Sequence, residues 1–328
     1  MACMKAAVYY ENGGPEVLRY EDVPEPACPP DGVLVNVEVI SVEGGDTVHR
    51  ARTPFADRPH IVGYQCAGTV REVGLQVRNR KVGDRVVALG PSGSHAEVMA
   101  AKETSTWSVP AGADLTTIGC VPLAFGTAHE ALFALGQLTK GQRVLVHAGA
   151  GGVGLAAIQL ASAAGAEVLT TASSAEKLAR LRDFGATHLF NYGDGTFDTA
   201  ITQIIGRDGV DLVIDSVGGK ILQESINCLR YRGRIISLGV AARDFSPFNP
   251  LPLWGKNASL IGMSLSSSRR YEQARTYDAI AECIARVASG ELRVVIAHEY
   301  ALAEAARAHA HSEQRSVFGR IVMRPRGG

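Results

Sequence analysis

The sequence predicts an α/β chain, with a doubly wound parallel sheet in its middle and a mainly β domain formed by its first part and its tail. Three observations carry the prediction. Between about 121 and 267, short apolar segments alternate with Ala- and Leu-rich segments of helical length, the rhythm of a parallel sheet covered on both faces. A glycine turn, Gly149-Ala150-Gly151-Gly152-Val153-Gly154, stands where one such strand passes into a helix. Up to about 120 the chain is rich in Val, Gly and Pro, and its apolar residues alternate over short runs.

In the first region, 33–39 alternates as a strand does and 85–89 reads as another. Turn clusters such as Pro24-Glu25-Pro26, Pro29-Pro30-Asp31-Gly32 and Val82-Gly83-Asp84 separate such segments. In the middle region, strands are expected at 143–148, 167–172, 188–192, 211–215 and 234–240, the last closing the series. Helices are expected at 153–164, 175–184, 197–205 and 220–229. Beyond 268 come one long helix at 270–289, a strand at 293–296, a second Ala-rich helix at 302–310 and a final strand at 320–323. This tail is expected to return to the first domain. The expected domains are 1–120 with 268–328, and 121–267.

Composition narrows the function. Hydrophobic residues make up 46% of the 328 and charged residues 20%, which fits folded domains and excludes a disordered chain. Lys+Arg and Asp+Glu are both 33, so no basic excess points to nucleic acid. No run reaches the roughly 18 apolar residues of a membrane span, and the opening residues lack a secretory h-region. A cytoplasmic location is expected. Cys3, Cys28, Cys66, Cys120, Cys228 and Cys283 are scattered without a C-x-x-C pair, and read as isolated thiols.

The glycine turn is the strongest motif. In the reading from sequence, Gly149 permits the tight turn, Gly151 lets backbone approach a pyrophosphate, and Gly154 lets the helix pack closely on the strand. The helix N-terminus then turns its N–H groups and positive dipole end toward phosphate. The next strand ends in Thr170-Thr171-Ala172-Ser173-Ser174, without the acid that usually accepts from the ribose 2′-OH of NAD. Glu167 stands at its other end. Ser173 and Lys177, with Arg180 one turn on, suit the 2′-phosphate of NADP, although both cations also fit an ordinary solvated helix face.

In these motifs the chain resembles the medium-chain dehydrogenase/reductase superfamily, and within it the zinc-free quinone oxidoreductase (zeta-crystallin-like) branch. The resemblance runs from Met4-Lys5-Ala6-Ala7-Val8 and Gly13-Gly14-Pro15-Glu16-Val17-Leu18 through Val82-Gly83-Asp84-Arg85-Val86 and the glycine turn. It continues in Asn191-Tyr192 and Val210-Asp211-Leu212-Val213-Ile214-Asp215 and closes on Phe318-Gly319-Arg320-Ile321-Val322. It implies a GroES-like catalytic domain, broken in sequence, around a Rossmann domain, with NADPH in the cleft between them and often a homodimer. It implies that Gly151, Gly152 and Val153 hold the pyrophosphate and that Ser173, Lys177 and Tyr192 hold the 2′-phosphate. Thr127 would lie on the nicotinamide side, with Ser216, Val217, Leu238, Gly239 and Val240 lining the path from adenine to nicotinamide.

The chain departs from the zinc-dependent relatives. Where they carry an early Cys and a Gly-His-Glu motif, it reads Ser41-Val42-Glu43 and Gly63-Tyr64-Gln65. No cysteine lies between Cys66 and Cys120, and the nine histidines form no convergent set, so no metal is expected. Glu43 stands where quinone reductases often have Asn, and Val48 near a usual Tyr, while Asp46 is retained. Without a Lewis acid, the favoured acceptors are those that already take electrons: quinones, or alkenes conjugated to a carbonyl. Glu43 and Tyr64 are the candidates for assisting proton transfer, each with a plainer role open to it, as a surface or structural carboxylate and as packing of the cleft wall. The segment 245–250 shapes the pocket or merely connects. An enoyl-thioester reductase is an enzyme alternative, and a non-catalytic NADPH-binding redox sensor is one of another class. The absence of a Tyr-x-x-x-Lys pair excludes short-chain dehydrogenase chemistry.

Overall fold

The computed structural model describes residues 2–192 and 196–325. The chain forms two compact units, Met1–Leu123 with Ile280–Gly328, and Ala124–Ala279. The second unit thus runs past 267 into the helix Gln273–Ala288.

The first unit begins with β1 (Cys3–Tyr9), β2 (Arg19–Pro24), β3 (Gly32–Val42), β4 (His60–Ile61), β5 (Gln65–Val73), β6 (Arg85–Leu89), β7 (Val98–Lys102) and β8 (Thr106–Ser108). The second contributes β9 (Arg143–Val146), β10 (Glu167–Ala172), β11 (His188–Asn191), β12 (Val210–Asp215), β13 (Leu229–Ser237) and β14 (Ser259–Gly262). The tail adds β15 (Ile296–Ala301) and β16 (Arg320–Arg324).

In the first unit the larger sheet runs β15-β16-β3-β5-β6-β8, with β7 also on β3, and a small sheet runs β2-β1-β4. The eleven residues of β3 form its spine. They alternate strongly enough that Val33, Val35, Val37 and Ile40 enter one core with Cys66, Val70, Val86 and Met99, while Asn36 and Glu38 stay exposed. The tail closes this sheet: Ile321 pairs with Val42 and Met323 with Ile40.

The second unit is a six-stranded sheet, β11-β10-β9-β12-β13-β14, parallel at every pairing. The chain moves outward from β9 on one side, then returns to β12 on the other. That reversal is the topological switch point at which such sheets open a crevice beyond the carboxyl ends of the strands. The helix Gly152–Ala163 is buried from Gly154 to Ala161, which explains a sequence apolar all round rather than along a stripe.

Several elements differ from the expectations above. The sheet does not close at 234–240: β13 ends at Ser237 and β14 follows at its edge. Four half-exposed residues bounded by Ser and Gly are too short for a periodic signal. The helix expected at 270–289 is two, Leu265–Tyr271 and Gln273–Ala288, broken at Glu272, whose backbone leaves the helical region. The strand expected at 293–296 is instead β15, starting at Ile296, where pairing with β16 overrides the polar His298 and Glu299.

Candidate active site

The glycine turn stands at the carboxyl end of β9. The Gly149 N–H donates to the Thr171 carbonyl (2.9 Å) and the Gly151 N–H to the Ala148 carbonyl (3.0 Å). The left-handed residue of the turn is Ala148, at φ 52°. Gly149 is required for space: a Cβ there would strike the Thr170 hydroxyl and come within 2.9 Å of Leu181. At Gly154 a Cβ would run into the Ala148 carbonyl and lie 2.7 Å from the Gly149 Cα, so this glycine sets how closely helix and turn pack. Gly151 differs. A Cβ there meets only the Ala148 carbonyl oxygen, at 3.4 Å, so this face is clear of other protein atoms.

Gly151 is also the N-cap, with no side chain to supply a capping oxygen. The first intrahelical bond runs from the Leu155 N–H to the Gly151 carbonyl (2.9 Å). The N–H groups of Gly152, Val153 and Gly154 therefore precede the helical ladder and suit an anion, with the helix dipole behind them.

The neighbouring strand ends supply a cation. In the parallel register Ala172 pairs with Asn191, so Ser173 and Tyr192 leave adjacent strands at the same level. The Ser174 hydroxyl caps the helix Ala175–Leu181 by accepting from the Lys177 N–H (3.3 Å), and the Lys177 Nζ donates back to the Ser173 Oγ (3.4 Å). Partial burial lowers the Lys177 pKa. Glu167, at the opposite end of β10, is bound to Arg143 and His188, each at 2.8 Å.

At the end of β12, the Asp215 carboxylate accepts from the N–H groups of Val217 (2.9 Å) and Gly218 (3.1 Å), and burial pushes its pKa up. The Leu238 N–H donates to the Asp215 carbonyl and the Ala241 N–H to that of Ser216, at 2.9 and 3.0 Å. Ser216, Val217, Leu238 and Val240 are thereby drawn to one rim, and a Cβ on Gly239 would come 2.9 Å from the Ser216 carbonyl oxygen. Thr127 lies buried on a separate element, the helix Val121–His129. Two residues that shape the rim escaped the sequence reading. One is Asp215, an acid ending a buried strand. The other is His147, whose ring bonds Thr171 (2.9 Å) and Ser225 (2.8 Å) and which burial holds neutral, its pKa pushed down to about 3.

The candidates Glu43 and Tyr64 lie in the first unit. Glu43 is 3% exposed, so it is no surface carboxylate. Its Oε1 accepts from Ser41 (2.9 Å) and Gln65 (2.7 Å) and is ion-paired with the buried Arg320 of β16. Its N–H is held by the Asp46 carboxylate (2.8 Å), which opens the helix Gly44–Arg52. Burial first, then the charge of Glu43, raise the Asp46 pKa well above the ordinary carboxylate range. Tyr64 is half-buried, lies against Gly45 and donates to its carbonyl at 3.4 Å. Burial, then Asp46, push its pKa up to about 12, so the phenol keeps its proton at neutral pH.

Two family models match the chain: Zinc-binding dehydrogenase over residues 152–282 and Alcohol dehydrogenase GroES-like domain over residues 29–111. A quinone oxidoreductase of Rattus norvegicus is 34% identical, with 98% of this chain and 97% of that protein aligned. A 2-haloacrylate reductase of Burkholderia sp is 32% identical, with 98% of each covered. The crystal structure of Escherichia coli quinone oxidoreductase complexed with NADPH superposes with a TM-score of 0.92 at 29% identity, over 98% of this chain and 100% of that one.

Proposed function

The chain belongs to the quinone oxidoreductase branch of the medium-chain dehydrogenase/reductase superfamily, and from that premise we propose that it is a metal-independent, NADPH-dependent reductase of quinones or of alkenes conjugated to a carbonyl. One observation carries the nucleotide half: an uncapped helix N-terminus whose Gly151 face is clear of side chains, with Lys177 and Ser173 joined at an acid-free strand end. In this reading the N–H groups of Gly152, Val153 and Gly154 receive the pyrophosphate. Ser173, Lys177 and Tyr192 receive the 2′-phosphate, and Thr127, Ser216, Val217, Leu238 and Val240 flank the path to the nicotinamide. When bound, the reduced nicotinamide supplies the hydride.

The acceptor also needs a proton. Tyr64 is the better of the two donors, because its phenol is protonated and half-exposed, whereas Glu43 is committed to Arg320, Ser41 and Gln65. Asp46 then acts by fixing the start of the helix whose Gly45 carbonyl accepts from the Tyr64 hydroxyl. The metal-independent reading is supported on the described residues, which hold no group of three or more His, Cys, Asp or Glu able to take a metal ion. The 2-haloacrylate reductase favours activated alkenes beside quinones. A homodimer is supported by β14 ending its sheet among the described strands, and by the exposed Leu251 and Trp254 just before it in sequence. The free thiols fit the cytoplasm.

The test is loss of reduced-nicotinamide absorbance against a panel of quinones and short enones, with a chelator present throughout. Turnover is expected with NADPH and far less with NADH. Lys177→Ala should weaken NADPH by about 10–100-fold and leave NADH nearly unchanged. Loss of activity to the chelator would overturn the metal-independent reading. Tight NADPH binding without turnover would turn the assignment to a redox sensor, and a requirement for an acyl thioester to an enoyl reductase.

A further inference from the structure

The first unit contains a polar chain that the reaction does not use. Arg50, fully buried on the helix Gly44–Arg52, bonds the Gly13 carbonyl (3.2 Å), Glu313 (2.6 Å) and the Nδ1 of His309 (2.9 Å). The Nε2 of His309 meets the Nε2 of His95 at 2.9 Å, and the Nδ1 of His95 faces the Ser94 hydroxyl at 3.3 Å. A guanidinium only donates, so the His309 Nδ1 must accept and the hydrogen of a neutral His309 sits on Nε2. That hydrogen points at His95, whose Nε2 must accept in turn, leaving its own hydrogen on Nδ1 toward Ser94. One proton arrangement satisfies every link. A second proton on either ring would set donor against donor.

The two ends of this chain reach the elements assigned to the acceptor. Arg50 lies one turn beyond Asp46 on the same helix. Ser94 and His95 pack under Gly63, at φ +106°, where a Cβ would strike both the His95 Nδ1 and the Ser94 Oγ; the next residue is Tyr64. The charged and titratable groups around the pair are Arg50 and Glu313 on the chain itself and the buried Tyr9 phenol, which senses Arg50.

We propose that Ser94, His95, His309 and Arg50 form a strut of fixed tautomers that sets the helix bearing Asp46 against the turn bearing Tyr64, making His95 and His309 positioning residues for acceptor reduction. The proposal rests on the reading of Tyr64 as the acceptor-side donor.

Two measurements test it. Nitrogen-15 spectra of the full chain labelled in histidine should give His309 as the Nε2–H tautomer and His95 as the Nδ1–H tautomer, both neutral at pH 6. The same tautomer at both rings, or a protonated ring at that pH, would overturn the strut whether or not the enzyme turns over a quinone. With an acceptor in hand, His309→Leu should lower kcat at least about 10-fold while KM for NADPH stays within about twofold. His309→Gln, which can both accept and donate, should recover most of that loss. Equal losses in both variants, or none per NADPH-binding site, would refute a positioning role. Should His309→Leu not fold, Ser94→Ala removes only the terminal acceptor and should lower kcat about threefold with unchanged KM for NADPH; an unchanged kcat there also refutes it. A wild-type protein inactive on the whole panel would defeat the proposed function, while the spectra would still decide the strut.

Discussion

Glu43→Gln separates a structural carboxylate from a catalytic one. An amide at this position still accepts from Ser41 and Gln65, but it leaves the guanidinium of Arg320 without its counter-charge. Side-chain exposure is 9% for Arg320 and 3% for Glu43, so water cannot replace the lost charge. Removing one partner of a buried ion pair costs about 3–5 kcal/mol, and the surviving hydrogen bonds put E43Q near the lower end. For a unit of this size, about 3 kcal/mol lowers the melting temperature by about 6–12 °C. Replacing both partners, Glu43→Leu with Arg320→Met, should recover at least about half of that loss, since an apolar pair leaves no charge unmatched. The assay is calorimetric melting beside turnover normalised to titrated NADPH sites. A melting temperature within about 2 °C of wild type, together with a roughly 100-fold fall in kcat, would refute this reasoning and return Glu43 to the chemistry.

The glycine turn offers a paired test. Gly154→Ala drives a Cβ into backbone on two sides and should destabilise the second unit by about 1–3 kcal/mol or more, whereas Gly151→Ala should melt normally yet bind NADPH about 100-fold more weakly; equal melting of the two variants would show the packing argument to be mistaken. The acid response isolates His147. Its folded pKa is depressed to about 3, below the ordinary 6.5, so unfolding takes up a proton between those values and the stability it confers above pH 6.5 is lost as the pH falls. From pH 6.5 to 5 that amounts to about 2 kcal/mol, which should vanish in His147→Gln; the raised Asp215 acts in the opposite sense and cancels in the comparison. Parallel pH profiles of urea midpoints would mean that His147 is not held neutral.

What the sequence disclosed and what it concealed have physical causes. Helix Phe197–Ile205 and strands β6 and β10 lie where their periodicity puts them, because each is short, uniform and bounded by turn residues. The glycine turn was legible because two crowded positions and one open face on a single β–α junction leave a fixed spacing. Its detail was not: Ala148 takes the left-handed conformation, and the crowding at Gly149 comes from Thr170, on the next strand. Glu43 was ambiguous for the same reason, since its partner Arg320 stands 277 residues away. His147 was passed over because its partners are hydroxyls of another strand and of a helix, which leave no local pattern, and Asp215 because it holds only the backbone amides two and three residues on, which no side-chain spacing marks. The β14 edge is decided by its pairing with β13 rather than by propensity.

The union of β3 with β16 also governs how the molecule comes into being. Val42 leaves the ribosome 279 residues before its partner Ile321. At ordinary synthesis rates that is a wait on the order of tens of seconds. The second unit, contiguous in sequence, can complete its sheet in that interval, whereas β3 holds an unpaired apolar flank until β16 arrives. The long spine that makes the first unit coherent once folded is thus its most aggregation-exposed segment during synthesis, and the demand for a holding chaperone falls on that segment.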